Sequence, residues 1–134
     1  MRRSPVVALL AAVAAVTLVV QPTPALAQQR TRVVAHCTEI SYQPAHYIFF
    51  CADGGAGLRH ATYDKWGTWS ARGSATYYFN DCDPSCAGGT WHHRAATFRL
   101  YRVVDTVKHG PLFTRIKVTT TKRDYVYHLT TKPY

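Results

Sequence analysis

The sequence predicts an all-β domain, a small antiparallel sandwich or barrel of about seven short strands that carries two disulfides. Three observations predict it. Apolar and polar residues alternate with period two in short runs rich in β-branched and aromatic residues. No stretch after residue 27 has the i, i+3, i+4, i+7 apolar spacing of an amphipathic helix. Clusters of Gly, Pro, Asn and Asp separate the runs.

The first 27 residues are predicted to be a leader and not part of the fold. Arg2 and Arg3 precede the apolar run Val6–Val20, which is short for a membrane span. Ala25 and Ala27 then supply the small residues of a cleavage site. We therefore expect a signal peptide (1–27) cleaved after Ala27, followed by a single secreted, extracellular domain over 28–134 with no transmembrane span.

Strand-like runs follow in order along the mature chain. Asp53-Gly54 is predicted as a hairpin turn, since this pair tolerates positive φ. Segment 80–89 contains Pro, Gly, Asp and two Cys and is predicted as a loop. Turns are also expected at 108–111 and 122–124. The predicted strands are 34–42, 46–51, 58–63, 74–80, 97–103, 113–119 and 125–130.

All four cysteines follow the leader, and an even number in an oxidising compartment predicts disulfides. Of the three possible pairings we favour Cys37–Cys51, which would connect two neighbouring strands, together with Cys82–Cys86. Cys82, Cys86 and the following histidines lack a standard zinc spacing. We therefore expect no metal and no cofactor.

The positive charge is concentrated at one end of the chain. Of 134 residues, 16 are Lys or Arg and 7 are Asp or Glu, and this balance excludes neither binding nor catalysis. The chain length does exclude a TIM barrel or a two-domain nucleotide enzyme. Segment 28–93 has as many acids as bases, whereas 94–134 has nine bases and two acids. A one-sided basic field attracts polyanions, and it also keeps a secreted domain soluble.

The alternation indicates where that charge is displayed. With Phe98 and Ile116 facing inward, neighbouring positions on the same strands must face outward. If the strands pair, one sheet face presents a set of candidate polyanion-binding residues. The same arrangement is expected for the solvated face of any basic sheet. The candidates are Arg99, Tyr101, Arg115 and Lys117.

Two other segments suggest alternative functions. His92 and His93 are weak catalytic candidates, because paired imidazoles can serve as acid and base in a small ribonuclease-like hydrolase. The partner acid would be Glu39, the one Glu in the chain. Segment 80–89 could instead act as the disulfide-braced loop of a protease inhibitor. No motif diagnoses either function.

Several short motifs resemble a group of short secreted proteins and lipoproteins from actinobacteria. They share a CADG, WG, NDCxPxCAxG pattern, and the resemblance covers most of 37–118. It implies export and a small disulfide-bearing β domain, without an assigned activity. Segment 119–134 is not part of the pattern, and no lipid-attachment cysteine follows the leader. The matching segments are 51–54, 63–67, 71–77, 80–89 and 113–116.

Together these observations favour a secreted, disulfide-stabilised, non-catalytic domain whose partner is an anionic polymer or a cell-envelope component. The small hydrolase and the protease inhibitor are the alternatives.

Overall fold

The computed structural model describes residues 29–133, and β-strands are the only regular secondary structure in that part of the chain. The predicted leader and its cleavage site lie outside the described residues. Residues 29–133 contain no helical segment with the length and hydropathy of a membrane span. The strands are β1 (Val33–Val34), β2 (Ile40–Ser41), β3 (Tyr47–Ile48), β4 (Ala56–Trp66), β5 (Ala71–Asn80), β6 (Trp91–Thr106), β7 (Gly110–Thr120) and β8 (Asp124–His128).

Strands β3 to β8 form one antiparallel sheet in which each strand pairs with the next along the chain, and β1 and β2 form a separate two-stranded sheet. The all-β prediction is confirmed. The predicted strand 34–42 is a hairpin, because the chain turns at Cys37 with φ 55°. Strand β6 begins at Trp91, six residues before the predicted start, and is 16 residues long.

The six-stranded sheet curls, and contacts between its two edge regions close it around the core. Phe49, just after β3, stacks on Tyr127 of β8 with ring centroids 4.1 Å apart. The N-terminal segment spans the same gap, since Arg32 bridges in parallel to Leu112 of β7. The Ile48 N–H also donates to the carbonyl of Ala35 (2.9 Å). The β1 segment thus connects β7 to β3.

The core fills the inside of the curled sheet, as period-two alternation requires. Two irregularities in β4, between Arg59 and Thr62 and between Tyr63 and Lys65, sharpen the curl. At the first, Thr62 lies so close to Gly73 that a Cβ there would collide with the Thr62 carbonyl oxygen. The fully buried large side chains are Tyr47, Tyr77, Phe113, Leu58, Leu100, Leu112, Ile116, Val33 and Val118.

Both predicted disulfides are confirmed, and no free cysteine is found among residues 29–133. Cys37–Cys51 joins the β1–β2 hairpin to the segment after β3, with Cα atoms 5.7 Å apart. Cys82–Cys86 closes a small ring within the β5–β6 loop. Two disulfides are compatible with an extracellular protein.

Candidate functional site

The structure brings the four candidate polyanion-binding residues side by side on the outer face of the sheet. Arg99 of β6 lies directly opposite Lys117 of β7, and Tyr101 lies opposite Arg115. Their strand neighbours point into the core: Phe98 is 3% exposed, and Leu100, Ile116 and Val118 are fully buried. We call Arg99, Tyr101, Arg115 and Lys117 the platform.

The basic surface extends beyond the platform to two residues that the sequence analysis did not select. Arg72 of β5 pairs with Arg99, and Lys65 of β4 pairs with Arg72. Lys65, Arg72, Arg99 and Lys117 therefore form one line across four adjacent strands, which we call the base row. Neighbouring strands are about 4.8 Å apart, so the backbone positions of the row span about 14 Å.

Lys65 and Arg72 were missed because they belong to segment 28–93, whose charges cancel along the sequence. The sequence did contain a signal for Arg72, because this charged residue stands between two small residues, Ala71 and Gly73. In the structure the two small residues are buried and Arg72 is exposed. Only the strand register shows that Arg72 lies beside Arg99.

Two acids lie near these bases, and neither cancels the excess charge. Asp124 binds Lys117, with Oδ2 2.7 Å from Nζ, and this contact lowers the pKa of Asp124. Both side chains are about half exposed, so the ion pair adds little stability. Asp64 lines the adjacent depression. The base row and Arg115 thus present five bases against two acids.

Exposed hydroxyl side chains form a second line beside the base row. Thr62 pairs with Ser74, Ser74 with Thr97, and Thr97 with Thr119. We call these four residues the hydroxyl row; all of them are exposed. A shallow depression of about 440 Å³ lies between the two rows. Its lining is Asp64, Arg72, Gly73, Thr97, Phe98, Arg99, Lys117 and Thr119.

His92 and His93, the weak catalytic candidates, lie on opposite faces of β6. His92 is opposite Phe79 and stacks on its ring at 4.9 Å, whereas His93 is opposite Tyr78 on the outer face. Glu39 contacts a different histidine, with Oε2 3.6 Å from Nδ1 of His36. A mechanism in which both imidazoles act on one phosphate does not fit this placement.

The β5–β6 loop is exposed and braced from within. The Asn80 side chain accepts from the Cys82 N–H and donates to the Cys86 carbonyl, at 2.9 Å in both cases. Asp81 accepts from the N–H groups of Asp83 and Thr90. Short polar side chains thus cap the turns, as their residue types favour. This loop, the basis of the inhibitor hypothesis, keeps its shape through these bonds and the Cys82–Cys86 ring.

A cluster of aromatic rings closes one end of the curled sheet. Arg94 lies over Phe79 at 5.0 Å, and Arg123 lies over Tyr125 at 4.9 Å while its Nε donates to the Tyr125 hydroxyl. The Tyr77 and Tyr127 hydroxyls are hydrogen-bonded to each other, and burial raises the pKa of both. The guanidinium groups of Arg94 and Arg123 thus each lie over an aromatic ring. Within residues 29–133, no such ring contact is found for Arg72 and Arg99. The rings belong to Phe49, Tyr77, Phe79, Tyr125 and Tyr127.

Three histidines from separate segments are neighbours elsewhere on the surface. The ring of His46 is 6.3 Å from that of His36 and 6.1 Å from that of His60. Nevertheless, within residues 29–133 no group of three or more His, Cys, Asp or Glu is arranged to hold a metal ion.

Comparison with known proteins adds no relative to this description. The chain matches no protein-family model, no curated protein and no solved structure. Its function must therefore be inferred from its own surface.

Proposed function

We propose that this chain is a secreted, non-catalytic domain that binds an anionic polymer of the cell envelope or its surroundings through the base row and Arg115. The signal-peptide pattern of residues 1–27 and the two disulfides support export. The observation that carries the proposal is the register that aligns Lys65, Arg72, Arg99 and Lys117 across four strands.

A line of bases on a stiff sheet suits a polymer more than a single small anion. Each exposed base contributes little alone, but several bases that contact successive charges of one chain act together. Binding displaces counterions from the polymer, so the affinity falls as the salt concentration rises. Because the sheet holds the strands in register, the backbone positions of the bases require no rearrangement before the side chains meet the ligand.

The salt dependence is the first prediction. The oxidised domain 28–134 should bind a short inorganic polyphosphate, labelled for fluorescence anisotropy, and its affinity should fall steeply between about 50 mM and 500 mM NaCl. An affinity that does not change over this range contradicts the proposal.

A charge-reversal comparison locates the site. Arg72→Glu, Arg99→Glu and Arg115→Glu together should lower the polyphosphate affinity more than about 100-fold at low salt, since three attractions become repulsions. The control combines Lys108→Glu, Lys122→Glu and Lys132→Glu, which change the net charge equally at exposed positions outside the base row. Circular dichroism checks that both variants fold. Equal losses in the two variants would show that net charge alone is responsible.

A further inference from the structure

The base row and the hydroxyl row run side by side across the same four strands, and on β5, β6 and β7 they are two residues apart. Arg72 and Ser74 are two residues apart on β5, as are Thr97 and Arg99 on β6 and Lys117 and Thr119 on β7. Two residues along a strand correspond to about 7 Å. A ligand on this face therefore meets cations along one line and hydroxyl groups along a second line about 7 Å away.

The depression between the rows gives a ligand a defined place to lie. Its volume is about 440 Å³, and bases and hydroxyls from both rows line it, among them Arg72, Thr97 and Lys117. The depression exists because short side chains of the hydroxyl row stand next to long side chains of the base row. A polymer segment in it would contact both kinds of group at once.

The chemistry of the two rows differs. Arg and Lys only donate hydrogen bonds and carry charge, so they fit phosphate or sulfate oxygens. Ser and Thr hydroxyls both donate and accept, so they fit the hydroxyl groups of a sugar or another polyol. An anion without hydroxyls offers the hydroxyls of Ser74 and Thr97 acceptors but no donors, so it uses only part of their hydrogen-bonding capacity.

Nucleic acid would need a succession of aromatic rings along the base row, and residues 29–133 do not provide one there. Proteins that bind single strands stack successive bases on aromatic side chains. The platform has one ring, Tyr101, and it is half-buried. The exposed Trp69 lies between β4 and β5, three residues from Arg72. The exposed Trp91 lies eight residues from Arg99 along β6, about 27 Å away. These single rings do not form a succession along the bases.

We infer that this face recognises a phosphate- or sulfate-bearing polyol or glycan and discriminates against polyanions without hydroxyl groups, such as DNA and inorganic polyphosphate. The inference rests on the proposed function, since it specifies the ligand class of the same surface. The base row supplies affinity for the charges, and the hydroxyl row supplies selectivity for the units between them.

The test compares four labelled polymers of similar charge: poly(glycerol phosphate), dextran sulfate, inorganic polyphosphate and oligo(dT). At one salt concentration, poly(glycerol phosphate) or dextran sulfate should bind about tenfold more tightly than polyphosphate, given one or two additional hydrogen bonds. The better of the two identifies the anion as phosphate or sulfate. Equal or tighter binding of oligo(dT) or polyphosphate overturns the inference.

A hydroxyl-deletion variant tests the mechanism. Ser74→Ala with Thr97→Val removes two central hydroxyls, and valine keeps the β-branched shape that suits a strand. The ratio of the affinities for the preferred polyol and for polyphosphate should fall about tenfold. The control, Thr90→Val with Thr131→Val, removes hydroxyls outside the row and should leave the ratio unchanged. An unchanged ratio in Ser74→Ala, Thr97→Val overturns the inference.

Different outcomes overturn the proposed function and the inference about the ligand class. If no polymer binds in a salt-sensitive way, the proposed function fails and the inference fails with it. If all the polymers bind in a salt-sensitive way with similar affinity, the proposed function stands and only the inference about the polyol is overturned.

Discussion

At the scale of single residues, Asp81 organises the loop between β5 and β6. Its Oδ1 accepts from the N–H of Thr90 at 2.8 Å and of Asp83 at 3.2 Å, while Oδ2 lies 2.9 Å from Nε2 of His92. The hydrogen bond from His92, followed by those from the two N–H groups, lowers the pKa of Asp81 to about 2. All of these contacts favour the charged carboxylate.

Asp81 gives the loop a defined acid sensitivity. A carboxyl whose folded-state pKa lies below its unfolded value stabilises the fold above the unfolded pKa of about 4. That stabilisation is lost as the pH falls through the folded pKa, here about 2. In two-dimensional NMR, the amide shifts of Thr90 and Asp83 should therefore titrate together with a midpoint near pH 2.

The matched variant for this titration is Asp81→Asn, which keeps an acceptor oxygen but cannot lose a proton. The shared midpoint near pH 2 should disappear in it. A wild-type midpoint near pH 4 would contradict the inferred bonding of Asp81.

At the scale of elements, closure of the curled sheet depends on a contact between its two edge strands. Phe49, just after β3, stacks on Tyr127 of β8 and packs against the core. The neighbouring Phe50 meets the same ring edge-on at 5.8 Å and is 50% exposed. The two phenylalanines thus share a partner and differ in burial.

Replacing these two residues should have unequal effects. Phe49→Ala removes a stacked, partly buried ring and should lower the free energy of unfolding by about 3 kcal/mol. Phe50→Ala, the control, should cost less than about 1 kcal/mol because half of its side chain already meets water. Guanidinium unfolding measures both; equal costs would show that the stacked pair does not close the sheet.

The strands themselves were accessible to sequence analysis only in part. Alternation located β5, β7 and β8, because burial alternates from residue to residue over part of β5 and β7 and over all of β8. The first residues of β6 lack this signal, since Trp91 and His93 are exposed and His92 and Arg94 are only partly buried. The β1–β2 hairpin was missed because its turn uses Cys37 at positive φ, where Gly or Asn is usual.

At the scale of the whole molecule, the two disulfides stabilise different parts of the fold. Cys37–Cys51 ties the N-terminal hairpin, which bridges β7 and β3, to the sheet edge. Cys82–Cys86 stabilises only its own loop. Their sequence separations, 14 and 4 residues, also imply different losses of unfolded-state entropy.

Paired serine variants should separate these contributions. Cys37→Ser with Cys51→Ser should lower the free energy of unfolding by about 3 kcal/mol, and Cys82→Ser with Cys86→Ser by about 2 kcal/mol, in the chain-entropy model. Denaturant unfolding of both variants gives the comparison. Intact-mass analysis of the wild type should find no free thiol. The opposite order of the two costs would contradict the bridging role of the N-terminal hairpin.

The sequence by itself determined the all-β class, because alternation is a local signal that is present in any strand register. It favoured, among three possible pairings, the two disulfides that the structure has. It also placed Arg99, Arg115 and Lys117 on outward positions of their strands. Only the tertiary structure decided that Lys65 and Arg72 join them, since residues 65 and 117 become members of one row through three successive strand pairings. The early start of β6 at Trp91 separated His92 from His93, because adjacent residues of a strand point to opposite faces.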